Sequence, residues 1–151
     1  MITVTILLSC NQLKSDKEAD PTDNNNEQKG DTINGIVKLS LEPVEFKLFQ
    51  LPDTIKVTMT NSTKDTITTG EYYRIEKLGG NEWTEISAKD MAFHDIGYDL
   101  RPNDTKIFIK YLFKNKNNYK AGKYRVVKYY LKSDYHKTKK NFNVYAEFDI
   151  K

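Results

Sequence analysis

The chain has a single cysteine, Cys10, so no disulfide can close within it. It has two histidines, His94 and His136, too few for a zinc site of three or four ligands. The only adjacent glycines are Gly79-Gly80, and no helix-forming segment follows them. That excludes a Walker or dinucleotide phosphate loop. No Gly-x-Ser-x-Gly occurs, and a catalytic Ser/His/Asp set would need such a strained turn with an oxyanion hole. No apolar run approaches the roughly 20 residues of a membrane-spanning helix. No segment repeats apolar residues at helical spacing over three turns.

What is present is aromatic, basic and alternating. Ten Tyr and seven Phe stand in 151 residues, a composition that suits strands and packed surfaces rather than flexible chain. Mean hydropathy is -0.71, so the core is small and the surface wet. The net charge of +3 is unevenly spread. Residues 105–151 carry thirteen bases against three acids, while residues 11–35 carry six acids against three bases. Such asymmetry points to an anionic partner unless folding intermixes the two halves.

The first 35 residues read as processing and tether. Residues 2–8 form a short apolar run, followed by Ser9 and Cys10. Leu7-Leu8-Ser9-Cys10 resembles the lipobox of bacterial lipoproteins. The resemblance implies a signal peptide over residues 1–9, acylation of Cys10, and export to the cell envelope, with the outer membrane or cell surface favoured. Two or three acyl chains make a stable anchor where one is marginal. No Lys or Arg precedes the apolar run, so the true start is expected to lie upstream of Met1. Residues 10–35 then form the lipidated cysteine and a polar tether, with too little apolar surface to offset ordering entropy.

From residue 36 the period is 2. Phe142, Val144, Ala146, Phe148 and Ile150 alternate with Asn143, Tyr145, Glu147 and Asp149. Ile55, Val57 and Met59 alternate with Lys56 and Thr58, and Tyr73 and Ile75 with Arg74 and Glu76. Ile107, Ile109 and Tyr111 alternate with Lys106, Phe108 and Lys110, which predicts that the isoleucines face the core and the lysines water. In Tyr124–Leu131 the phase shifts, and a bulge near Val127 would restore it. Gly79-Gly80 reads as a hairpin turn. Seven or eight mostly antiparallel strands over residues 36–151, without intervening helices, predict an all-β sandwich.

Tyr119-Lys-Ala-Gly-Lys-Tyr-Arg-Val126 is similar to the tyrosine corner of immunoglobulin-like domains, with Gly122 two residues before Tyr124. Val57–Ser62 ending in an Asn turn, Gly70–Lys77 before Trp83, and Tyr145–Ile150 agree. Together they resemble a bacterial immunoglobulin-like domain carried on an exported lipoprotein. The resemblance implies a non-catalytic, extracytoplasmic domain. Its motifs are packing motifs and specify fold rather than ligand.

The site candidates are correspondingly modest. Tyr72 and Tyr145 are expected to face outward, where aromatics stack on sugar rings. Lys114, Lys116 and Lys120 lie beside tyrosines, a pattern that suits polyanions. Export excludes nucleic acid and leaves an anionic glycan or lipid surface. Asp95, Asp99, Asn103 and Asp104 place hard oxygens near one turn, but their spacing matches no EF-hand, so no metal site or cofactor is expected. A glycosidase would need Glu82 or Glu85 to meet Asp95 at about 5–9 Å. The reading is a membrane-anchored binding or interaction module, with a structural accessory subunit or a carbohydrate-binding surface protein as alternatives. Its expected partners are the membrane, through Cys10, and a glycan or envelope protein.

Overall fold

The computed structural model describes residues 36–87 and 91–151. Cys10 and the tether lie outside the described residues. Among these residues ten strands form two sheets, with a three-residue 3-10 turn at Leu48–Gln50 and one short α-helix. One sheet has three strands in the order β1 (Val37–Leu41), β3 (Thr54–Asn61), β8 (Thr105–Tyr111), all antiparallel. The other is built on β9 (Gly122–Lys132), which β10 (Asn141–Ile150) pairs along its whole length. The opposite edge of β9 is shared. Its first half pairs with β5 (Arg74–Gly79) and its last residues with β4 (Ile67–Gly70). The hairpin partner of β5 is β6 (Glu82–Glu85), β4 pairs with β7 (Gly97–Leu100), and the two-residue β2 (Glu45–Phe46) runs parallel to the end of β10. The fold is an immunoglobulin-like β-sandwich, and α1 (Tyr135–Thr138) is a single turn between β9 and β10.

The period-2 reading holds for β3, β5 and β10. Val57 and Met59 are fully buried, and Val144, Ala146, Phe148 and Ile150 close the opposite wall with Phe142 at its rim. The Gly79-Gly80 turn is a hairpin, and Gly80 takes a φ of 63°, a left-handed value that favours glycine. At the end of β3, Asn61 is completely buried. Its amide donates to the carbonyls of Asp65, Leu100 and Arg101, and its oxygen accepts from the Thr63 backbone and hydroxyl. This side chain ties the β3–β4 and β7–β8 turns together.

Two expectations fail, for one reason. In β8 the phase is reversed. Phe108 and Lys110 point inward, Lys110 only 2% exposed, while Ile107, Ile109 and Tyr111 are more than half exposed. In β9 there is no bulge near Val127. The ladder to β10 is unbroken, and Lys128 continues the inward series of Tyr124, Val126 and Tyr130 at 1% exposure. Burying an ammonium is costly unless it is hydrogen-bonded. Here both are. Lys128 donates to the carbonyls of Gly70 and Tyr72, and Lys110 to the carbonyl and carboxylate of Glu71. The Lys128 ammonium also lies 4.1 Å from the centre of the Phe108 ring, a cation–π contact.

Candidate functional site

The outer face of the larger sheet carries the densest chemistry. On β5, Glu76 stands directly opposite Arg125 of β9. Residues two apart on a strand share a face, so Arg74 joins them. The Glu76 carboxylate takes the Arg74 Nε at 2.6 Å on one oxygen and the Arg125 Nε on the other. Trp83 reaches the same place from β6, because the hairpin register sets it opposite Leu78. The Arg125 guanidinium meets two rings, 4.4 Å from the centre of Trp83 and 4.8 Å from that of Tyr145. Two cation–π contacts and the Glu76 carboxylate fix this arginine.

Beside this stack lies an open groove of about 640 Å³. Trp83, Tyr72 and Tyr129 give it aromatic walls, and Arg74, Glu76, Glu85, Asn141 and Asn143 give it polar ones. A second depression of about 340 Å³ adjoins it, shares Tyr72 and Tyr129, and adds Thr68, Phe93 and Asp95 among others. Tyr72 therefore stands on the wall between the two. Its ring is 5.2 Å from that of Phe93 and 6.0 Å from that of Tyr129, with the planes inclined at 66° and 46°. Burial, together with the Glu85 charge, pushes the Tyr72 phenol up, so it stays a proton donor near neutral pH.

The position of Tyr72 is set from inside the sandwich. The carbonyls of Gly70, Glu71 and Tyr72 are the acceptors of the buried lysines. Lys128 comes from β9 and Lys110 from β8, so both sheets hold this one segment. Burial, and then the Lys110 charge, bring Lys128 down to about 7, against an opposing pull from Glu71. Burial alone would raise Glu71, but hydrogen bonds from Lys110 and Tyr98 and the two lysine charges outweigh it and leave the carboxyl below its usual range.

The other sequence candidates fall elsewhere. Tyr145 is on the same outer face, against Arg125 rather than in the groove. Tyr124 is fully buried. Its hydroxyl donates to the Lys120 carbonyl at 2.7 Å and accepts the Lys120 N–H at 3.0 Å, with Gly122 at a φ of 147° beneath it. Lys114, Lys116 and Lys120 are exposed and line neither depression. Lys114 is engaged with the Leu51 carbonyl and Asp53. His94 is an exposed loop residue, and His136 is exposed on α1. Asp99 accepts from Thr68 and Asp104 from the Arg101 N–H, and no three metal-binding side chains converge among the described residues. Glu85 and Asp95 line different depressions.

A family model described as a bacterial Ig-like domain matches residues 36–149. The chain belongs to that family. Such domains are typically non-catalytic interaction or structural modules and are commonly extracellular or at the bacterial surface. No helix among the described residues is long and apolar enough to cross a membrane. Among solved structures, this Ig-like chain is similar to the ASH / PapD-like domain of human CEP192 (PapD-like domain 7). The identity is 10%, the coverage 86% of this chain and 95% of that one, and the TM-score 0.38. No curated protein matches it.

Sequence reasoning had Tyr72 and Tyr145 but missed Trp83, Glu76 and Arg125. The signal was available in part. A hairpin across Gly80-Asn81 brings Trp83 onto the face of Glu76 by register alone. The pairing of Glu76 with Arg125 joins strands 49 residues apart, and no local pattern reveals it.

Proposed function

We propose that this protein is a lipid-anchored module of the bacterial cell envelope that binds a ligand on the outer face of its larger sheet and does not transform it. The observation that carries the binding reading is the groove beside the Trp83–Arg125–Tyr145 stack, with the adjoining depression beyond Tyr72. Rigid aromatic walls with a few polar groups are the usual make-up of a ligand site. Both oxygens of the Glu76 carboxylate are taken by arginine Nε atoms, which supports recognition rather than acid–base work on a ligand. Leu7-Leu8-Ser9-Cys10 supports the anchor, and the polar stretch of residues 11–35 would hold the domain off the membrane.

Two measurements test this. Metabolic labelling with an alkynyl fatty acid is expected to mark the wild-type chain and not Cys10→Ser; equal labelling of both sinks the anchor. The full chain with Cys10→Ser is then sedimented with purified bacterial envelopes. Retention that Tyr72→Ala abolishes is expected, and no retention at all sinks the binding reading.

A second reading rests on a different observation. On β8, Ile107, Ile109 and Tyr111 are 55%, 56% and 58% exposed on a strand that pairs only with β3 among the described residues. An apolar stripe on an open strand edge suits strand addition by another protein, as in an accessory subunit of an envelope assembly. Stable, stoichiometric co-purification that Ile109→Lys abolishes and Tyr72→Ala leaves intact would favour it.

A further inference from the structure

We propose that the two depressions form one cleft for a neutral, single-chain oligosaccharide, with Tyr72 as the stacking residue at its middle. This rests on the binding reading above and specifies the ligand class. Charge decides the first point. The acids of the cleft are Glu71, Glu76, Glu85 and Asp95. Facing them are Arg74 in the lining, Arg125 against Glu76, and Lys110 and Lys128 behind the wall. Four acids meet three full positive charges and the partly protonated Lys128, so the cleft carries at most a small net negative charge and offers little field to a polyanion or a polycation. A ligand held there is bound by stacking and by neutral hydrogen bonds. The basic residues Lys114, Lys116 and Lys120 lie outside the cleft and are not part of its recognition.

Shape decides the second. Tyr72 has Phe93 and Tyr129 as ring neighbours, at spacings of 5.2 and 6.0 Å that are close to the length of one pyranose unit. Apolar C–H faces of sugars pack on such rings. The rings are mutually inclined, so a chain lying on them must twist, and a flat crystalline polysaccharide surface cannot meet them together. Asn141 on one side supplies an amide that both donates and accepts, and Thr68 on the other, whose hydrogen goes to Asp99, supplies a hydroxyl oxygen that can accept from a sugar hydroxyl. The lysine-capped segment 70–72 holds Tyr72 in place before the ligand arrives, which lowers the ordering cost of binding.

The test is titration calorimetry on the full chain with Cys10→Ser. The probes are xylo-, cello-, manno- and chito-oligosaccharides of one to six units, with heparin and hexalysine as charged controls. At least one neutral series is expected to bind, gaining about tenfold from one unit to four and then levelling off. Its affinity should change less than about twofold between low and high salt, since no charges pair. Tyr72→Ala is expected to cost about tenfold, and Tyr72→Phe almost nothing. Asn141→Ala, at an exposed rim position away from the core, should cost about threefold at unchanged melting temperature. Binding of heparin or hexalysine in place of neutral sugars overturns the ligand class and leaves the binding module standing. Neutral binding that ignores Tyr72→Ala and Asn141→Ala overturns the cleft. No neutral binding overturns the inference outright; if envelope sedimentation also fails, the binding module falls with it.

Discussion

The two outer faces of the sandwich are built from opposite materials. The face of β1, β3 and β8 shows Lys38, Ser40, Lys56, Thr58 and Thr60, with isoleucines confined to the edge strand. Every side chain there is exposed or half-exposed. The face of β5, β9 and β10 buries Glu76, Arg125 and Asn143, although no second layer of the described residues covers it. Charge and rings cover one another instead. One face is a solvated wall, and the other is a layer of packed polar chemistry with depressions in it. A domain that needed only to fold could have made both like the first. The stability invested in the second is why we propose recognition there.

The contrast is broken most directly by removing its central carboxylate. Glu76→Ala takes from the buried Arg125, and from Arg74, the carboxylate they share. Removing one partner of a buried ion pair is expected to destabilise by about 3 kcal/mol, as read by urea unfolding. Thr58→Ala, on the solvated face, should change stability by less than about 0.5 kcal/mol. Equal effects would mean that the two faces are energetically alike.

The interior tie between the faces is titratable. Burial brings Lys128 down from the ordinary lysine value of 10.5 to about 7 in the fold. Between those values the unfolded chain binds more protons than the folded one, so stability rises with pH. The rise attributable to this group is expected from pH 7 to pH 10, at no more than about 1.4 kcal/mol per pH unit. Lys128→Met removes it, although it leaves the Gly70 and Tyr72 carbonyls without their donor. A pH series of unfolding midpoints, wild type minus variant, isolates the slope. A flat difference would mean that Lys128 is charged and solvated in the fold.

Arg125→Lys sharpens the comparison at smaller cost. Lysine keeps the charge but loses the planar contacts with Trp83 and Tyr145 and the fork toward Glu76. A loss of about 1–2 kcal/mol is expected, with a red shift in the fluorescence of Trp83, the chain's single tryptophan. An unshifted spectrum would show that the indole does not depend on the guanidinium.

These same residues mark where the sequence could be read and where it could not. The inward series of β3 and β10 was legible because each strand buries one face and places nothing ionisable on it. β8 and β9 were misread because lysine was assigned to water. The local pattern favoured that choice, with Ile107, Ile109 and Tyr111 against a lone Phe108. What reverses it is a set of acceptors at residues 70–72, far away in sequence and brought close only by the fold. The outer face was legible at Tyr72 and Tyr145 from alternation alone. It was invisible at Arg125, whose partners come from β5, β6 and β10.

The reversed phase of β8 leaves one small and discriminating substitution. Ile109→Lys puts a charge at the middle of the exposed stripe, opposite Lys56 of β3. If the isoleucine faced the core, as its alternation suggests, the variant would lose several kcal/mol, of the order seen for a buried unpaired charge. The structure places Ile109 56% in solvent, so stability should move by no more than about 0.5 kcal/mol, mostly from repulsion with Lys56. Affinity at the cleft, on the opposite sheet, should not move at all. Any association through the open β8 edge should weaken, because a charge on an edge strand opposes further pairing. One variant thus separates the two faces three ways: by unfolding, by titration at the cleft, and by sedimentation velocity for the edge.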